Sequence, residues 1–144
     1  MTKIDFYILQ SDTEEKRLKF ACRLLEKAAR QGNMILVNTQ DEAMSKALDR
    51  ALWHFKAESY VPHQVLSHSC DHPDQPIVIS HEFDSEHHHD VLINLAESLP
   101  ESFPRFKRYA QIVNQAPEQL AASRKHFAFL KKRGYPIEVN KLSH

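Results

Sequence analysis

Apolar residues at alternate positions open the chain. Ile4, Phe6 and Ile8 share one face of residues 4–9, which predicts a buried strand. Asp12, with Glu15 three residues on, has capping-box spacing and predicts a helix start. Leu18, Ala21, Cys22, Leu25 and Ala28 then recur at steps of three and four, a core-facing helical stripe. Gly32 suits the C′ position that ends it. Residues 34–37 predict a second strand. Thr39 with Glu42 repeats the capping-box spacing, and Met44, Ala47, Leu48, Ala51 and Leu52 form a second helical stripe.

Strand, helix, strand, helix argues for parallel pairing, because a parallel connection needs a crossover. The short apolar runs at 77–79 and 91–93 suit strands buried on both faces. Residues 103–107 predict a short helix after Pro100, and 109–113 predict the last strand of the core. Pro117 fits the first position of a final helix that runs to about Arg133 and ends at Gly134. The expected fold is a single α/β domain over residues 1–144. Its sheet is mostly parallel and flanked by helices, Rossmann-like in topology but without a nucleotide-binding loop. Internal repeats and low-complexity linkers are not evident, and residues 67–76 read as a mobile loop.

Residues 51–63 break the pattern. They read Ala-Leu-Trp-His-Phe-Lys-Ala-Glu-Ser-Tyr-Val-Pro-His and fit neither period well. Trp53 is placed directly after the second helix, with Tyr60, Val61 and Pro62 ending the segment. Pro62 cannot donate to a central ladder. The segment is either a loop folded over the core or a docking surface, since aromatic side chains are enriched where partners bind.

Composition narrows the function. A chain of 144 residues with 42% hydrophobic and 26% charged content is that of a soluble globular protein. No apolar run approaches the ~18 residues that span a membrane. Asp5 lies inside the first apolar segment, so that segment does not read as a signal peptide. Cys22 and Cys70 do not make a disulfide framework. The expected compartment is the cytoplasm. Two glycines, Gly32 and Gly134, cannot build a P-loop or a dinucleotide fingerprint, both of which need clustered glycines. The 19 basic and 19 acidic residues cancel, which argues against wholesale phosphate binding. Even so, residues 105–133 hold eight Lys or Arg against Glu118 alone, so an acidic partner suits the C-terminal third.

Candidate chemistry is sparse. His81, His87, His88 and His89 sit among Glu82, Glu86 and Asp90, with Cys70 and His72 upstream, but no spacing matches a structural zinc pattern. No specific metal site and no cofactor are expected. Asp12 and Asp41 follow the first two strands, where α/β folds often place a site, although helix capping explains both. Leu120, Arg124, Phe127 and Lys131 share one side of the final helix. Ala122, His126, Phe129 and Leu130 face elsewhere and are the core candidates. Arg124 and Lys131 flanking an exposed Phe127 suit a peptide that ends in an aromatic residue and a carboxylate. The plainer alternative is a solvated basic face with Phe127 partly buried.

The pattern "ALW…AES[aromatic]VPH" resembles the chi subunit of bacterial DNA polymerase III. "FYILQSDT", "DVLINL" and "RGYPIEVN" extend the resemblance along most of the chain. It implies a non-catalytic accessory subunit, with polymerase activity belonging to the assembled holoenzyme. Such a subunit links the clamp loader, through the psi subunit, to the acidic tail of single-stranded DNA-binding protein, which ends in a Pro-Phe carboxylate. It touches DNA only indirectly. Matched back from Gly134, the family's tail site falls on Val113, Arg124 and Phe127. Phe127 stands where the family has tyrosine, and His126 where a basic residue is common. The family's psi contact, also implicated in binding a helicase, falls on Trp53 and Tyr60, beside Val61 and Pro62. The competing expectation is a small α/β enzyme with its site near Asp12 and Asp41.

Overall fold

Burial on both faces drives the middle strands of this chain into one sheet. The computed structural model describes residues 1–55, 62–65, 74–82 and 87–142. Strands β1 (Lys3–Ile8) and β2 (Ile35–Asn38) are joined by helix α1 (Glu14–Arg30). Helix α2 (Glu42–His54) leads to β3 (His63–Val65), then β4 (Ile77–Ser80) and β5 (Val91–Asn94). A 3-10 turn (Phe103–Arg105) precedes β6 (Arg108–Val113), and helix α3 (Pro117–Lys132) connects to β7 (Ile137–Lys141). The strand order is β3-β4-β2-β5-β6-β1-β7. Every pairing is parallel. The expected α/β domain is therefore present, and its sheet is wholly parallel.

Two cores sandwich the sheet. Leu18, Ala21, Cys22 and Leu25 of α1, with Leu48 and Leu52 of α2, pack on Ile35, Val37, Ile77, Ile79 and Ile93. On the opposite face Leu130 of α3 and the turn residues Phe103 and Phe106 pack on Ile4, Phe6, Leu92, Tyr109 and Val113. Ile77, Val78, Ile79, Leu92 and Ile93 have no exposure. Each such side chain contributes roughly 1.5–3 kcal/mol of transfer free energy, which is why short runs suffice for these strands.

The cap of α1 differs from expectation, and that of α2 is one of the two residues the sequence offered. Thr13, not Asp12, caps α1, its hydroxyl accepting from the Lys16 amide at 3.4 Å. Ser11 Oγ takes the Thr13 amide at 3.1 Å, and this bend sets the start one residue later. Asp41, not Thr39, caps α2, accepting from the Met44 amide at 2.9 Å. Thr39 is buried, with its hydroxyl 2.6 Å from Ser45 Oγ. Gly32 and Gly134 hold φ of 87° and 83°, the left-handed conformation that ends α1 and α3. The helix expected at 103–107 is only the 3-10 turn. Strands β3 and β7 were not legible as strands. Residues 67–73 of the expected loop lie outside the described residues.

Arg17 is the least anticipated core residue. It lies in the first turn of α1 and has no exposure. Its Nη1 donates to the carbonyls of Leu95 at 2.9 Å and Ile112 at 3.1 Å. Its Nε and Nη2 meet the Glu14 carboxylate. The guanidinium thus binds the α1 start to the carboxyl ends of β5 and β6.

Candidate peptide-binding face on the last helix

Helix α3 begins with Pro117, whose missing amide costs nothing at a position with no intrahelical partner. Its buried residues are Ser123, His126 and Leu130, at steps of three and four. Leu120 and Phe127 flank this stripe and pack partly against the same core. Phe129, expected in the core, is 42% exposed instead. It lies one residue before Leu130, about 100° away around the helix, and the Arg133 guanidinium sits 4.7 Å over its ring.

His126 anchors the helix through a buried polar chain. The Gln111 carboxamide oxygen accepts from the Tyr109 hydroxyl at 2.7 Å and meets His126 Nδ1 at 2.8 Å. Asn94 Nδ2 donates to the Tyr109 hydroxyl at 2.9 Å. Burial lowers the His126 pKa, partly opposed by a backbone contact at Glu97, while the Lys125 charge adds to the lowering. His126 is therefore neutral at pH 7 and adds no charge to the face.

The outer side of α3 carries Arg124, Phe127 and Lys131. Arg124 and Lys131 are exposed. The Lys131 ammonium lies 5.8 Å from the Phe127 ring centroid. Phe127 is half-buried rather than exposed, because its ring packs 5.8 Å from that of Phe6. Val113 has no exposure and belongs to the same apolar cluster as Phe127. The accessible face is thus a strip of aromatic edge between two cations, with Val113 as packing beneath it.

The other expected surface is split. Trp53 lies within the last turn of α2, not after it, and is 58% exposed. Its ring meets the His63 imidazole edge-on at 5.6 Å. His63 Nε2 lies 2.9 Å from Asp49 Oδ1. Pro62 is exposed. Tyr60 and Val61 lie outside the described residues.

The remaining candidates are dispersed. Asp12 is exposed, and Asp41 is occupied in capping. His88 is buried against the Gln75 carbonyl at 2.6 Å, and burial lowers its pKa. Asp90 accepts from the Met34 amide at 2.7 Å, which holds its carboxyl below the usual range. His89 meets Phe106 edge-on at 6.0 Å. Among the described residues no three His, Cys, Asp or Glu side chains gather as a metal site. Glu86, Cys70 and His72 lie outside them. No described helix is long and apolar enough to cross a membrane.

The sequence profile of one family, described as DNA polymerase III chi subunit, HolC, matches residues 1–138. The chain belongs to that family. It is 36% identical over 142 residues to DNA polymerase III subunit chi of Pseudomonas aeruginosa, covering 99% of this chain and 98% of the relative. It is 29% identical over 144 residues to subunit chi of Escherichia coli, covering 96% and 97%. Membership makes this chi-type chain a replication accessory subunit. Its fold extends beyond the family. T4 UvsW superposes at a TM-score of 0.69 with 8% identity, over 99% of this chain and 42% of that one. Domain 2 of a DEAD-box helicase bound to an RNA duplex superposes at 0.66 with 9% identity, over 97% and 64%.

Proposed function

We propose that this chain is a non-catalytic tether in the cytoplasm. It joins a psi-type subunit of the clamp loader to the C-terminal tail of single-stranded DNA-binding protein. The tail would lie along α3. Its terminal carboxylate would meet Arg124, its terminal aromatic side chain would lie on the edge of Phe127, and acidic residues before it would face Lys131. The observation that carries this reading is the exposed Arg124 guanidinium, without an acidic partner among the described residues, about one helical turn from a half-buried ring. Arginine forms bidentate, charge-assisted bonds to a carboxylate, and the ring supplies an apolar wall.

Trp53 and Pro62 would anchor the psi-type or helicase contact, joined by Tyr60 and Val61. An indole that remains largely exposed suits an interface anchor better than a core role. Joining two modest contacts raises effective concentration, and avidity can exceed either affinity by roughly 10²–10⁴. The enzyme alternative near Asp12 and Asp41 is disfavoured, because one carboxylate is spent on a helix cap and the other faces solvent. Calorimetry with an acidic peptide ending in Pro-Phe tests the tail site. Binding should fall at least tenfold when the terminal carboxylate is amidated, and equal affinity for both peptides would remove Arg124 from its assigned role.

A further inference from the structure

Helix α1 carries a cationic ridge that the tethering role does not use. Lys16, Lys19, Arg23, Lys27 and Arg30 are all exposed. At 100° per residue they fall within roughly an 80° arc. At 1.5 Å per residue they span about 21 Å. Arg30 pairs with Glu26 at 3.3 Å. The side-chain charges of Lys16, Lys19, Arg23 and Lys27 have no acidic partner among the described residues. Of the acids on α1, Glu14 is held by Arg17 and Glu26 by Arg30. Glu26 thus sits at the ridge's edge with its charge taken up by Arg30, and Glu15 lies on the flank toward α2 with Lys19 and Arg23.

An aromatic ring borders this row. Phe20 and Leu9 line a cleft of about 210 Å³ whose other walls are Lys16, Lys19 and Arg23. Tyr7 supports the Phe20 ring from below at 5.5 Å, and the Arg23 guanidinium lies 5.8 Å from its centroid. Regular cations with an interleaved ring are the pattern that tracks a phosphate backbone and stacks a base. The zero formal charge of the chain conceals it.

We propose that this α1 ridge binds single-stranded nucleic acid directly. Its cations follow the phosphates, and Phe20 stacks against a base. The ridge lies on the sheet face opposite α3, so strand and protein tail would engage the chain together without competing. A row of exposed positive charges on a helix where Glu14 and Glu26 are already paired fits a polyanion. The interleaved ring favours nucleic acid over an acidic protein segment.

The test is fluorescence anisotropy of labelled oligo(dT) with the full chain, titrated over a salt series. Four unpaired cations predict a slope of log affinity against log salt of about −3, at ~0.7 per cation for single strands. The double variant Lys19→Gln with Arg23→Gln should weaken binding and cut that slope to about half. Phe20→Leu should weaken binding roughly fivefold or more with the slope unchanged. A control variant on α3, Lys125→Gln with Lys132→Gln, should change neither. Absence of binding at low salt, equal loss in the control, or displacement by polyglutamate as readily as by unlabelled oligo(dT) would each overturn the proposal. Thermal melts of all variants should match the parent except Phe20→Leu, for which the unchanged salt slope is the deciding readout.

Discussion

The Phe127 ring lies 5.8 Å from that of Phe6, tilted at 59°. A residue of the candidate tail site is therefore also part of the core beneath it. Phe127→Ala should lower folding stability by about 2 kcal/mol, roughly half the cost of truncating a fully buried ring. It should also weaken tail binding. Phe127→Tyr should preserve both, because it keeps the ring and adds a hydroxyl at the exposed edge. Denaturant titrations beside calorimetry separate the two effects. A Phe127→Ala protein with parental stability would contradict the packing described.

Arg17 offers a test of the fold alone. Arg17→Ala would orphan the Leu95 and Ile112 carbonyls, each accepting from one guanidinium nitrogen. An unsatisfied buried acceptor costs about 1–3 kcal/mol, so a destabilisation of roughly 2–4 kcal/mol is expected. Urea unfolding measures it, and a loss below 1 kcal/mol would show that water replaces the guanidinium.

The buried histidines set a pH dependence. His88 and His126 both have pKa values lowered chiefly by burial. The unfolded chain, with ordinary histidines near 6.5, then binds protons that the folded chain resists. Stability is full above about pH 6.5 and falls as pH drops toward the folded values. His126→Gln should flatten part of that fall. Thermal melts between pH 5 and pH 8 report it, and a parental melting temperature that rises on acidification would reverse the assignment.

Trp53 should behave oppositely to Phe127. It is 58% exposed at the end of α2, so Trp53→Ala should leave the melting temperature within a few degrees of the parent. Co-purification with a psi-type partner should be lost, at an interface cost of about 2–4 kcal/mol, while tail binding is retained. Joint loss of stability and of both partners would make Trp53 a core residue.

Much of this was legible in the chain. The stripes of α1 and α2 and the runs of β4 and β5 announce themselves because burial imposes their period. Boundaries were less legible. Thr13 displaced Asp12 as cap through a Ser11 bend that no spacing rule encodes. β7 alternates weakly because it is an edge strand, paired only with β1. Within α3, Arg124 and Lys131 are exposed as the spacing suggested, but Phe129 and Phe127 exchanged expected burial. A helix with aromatic residues at 127 and 129 gives no internal signal of its rotation; the Gln111 to His126 bond supplies it. Arg17 was missed because a charged residue near a helix start reads as solvated until its acceptors are seen.

The most direct measurement is binding of this chain to single-stranded DNA-binding protein by calorimetry, with and without that protein's last few residues, repeated with Arg124→Ala. The account predicts that removing the tail abolishes binding. Arg124→Ala should weaken it ten- to a hundredfold, the equivalent of a charge-assisted bond of about 1.5–3 kcal/mol, with no change in melting temperature. Equal affinity for intact and tail-less protein, or an unchanged affinity in Arg124→Ala, would contradict the assignment of α3 as the tail-binding face.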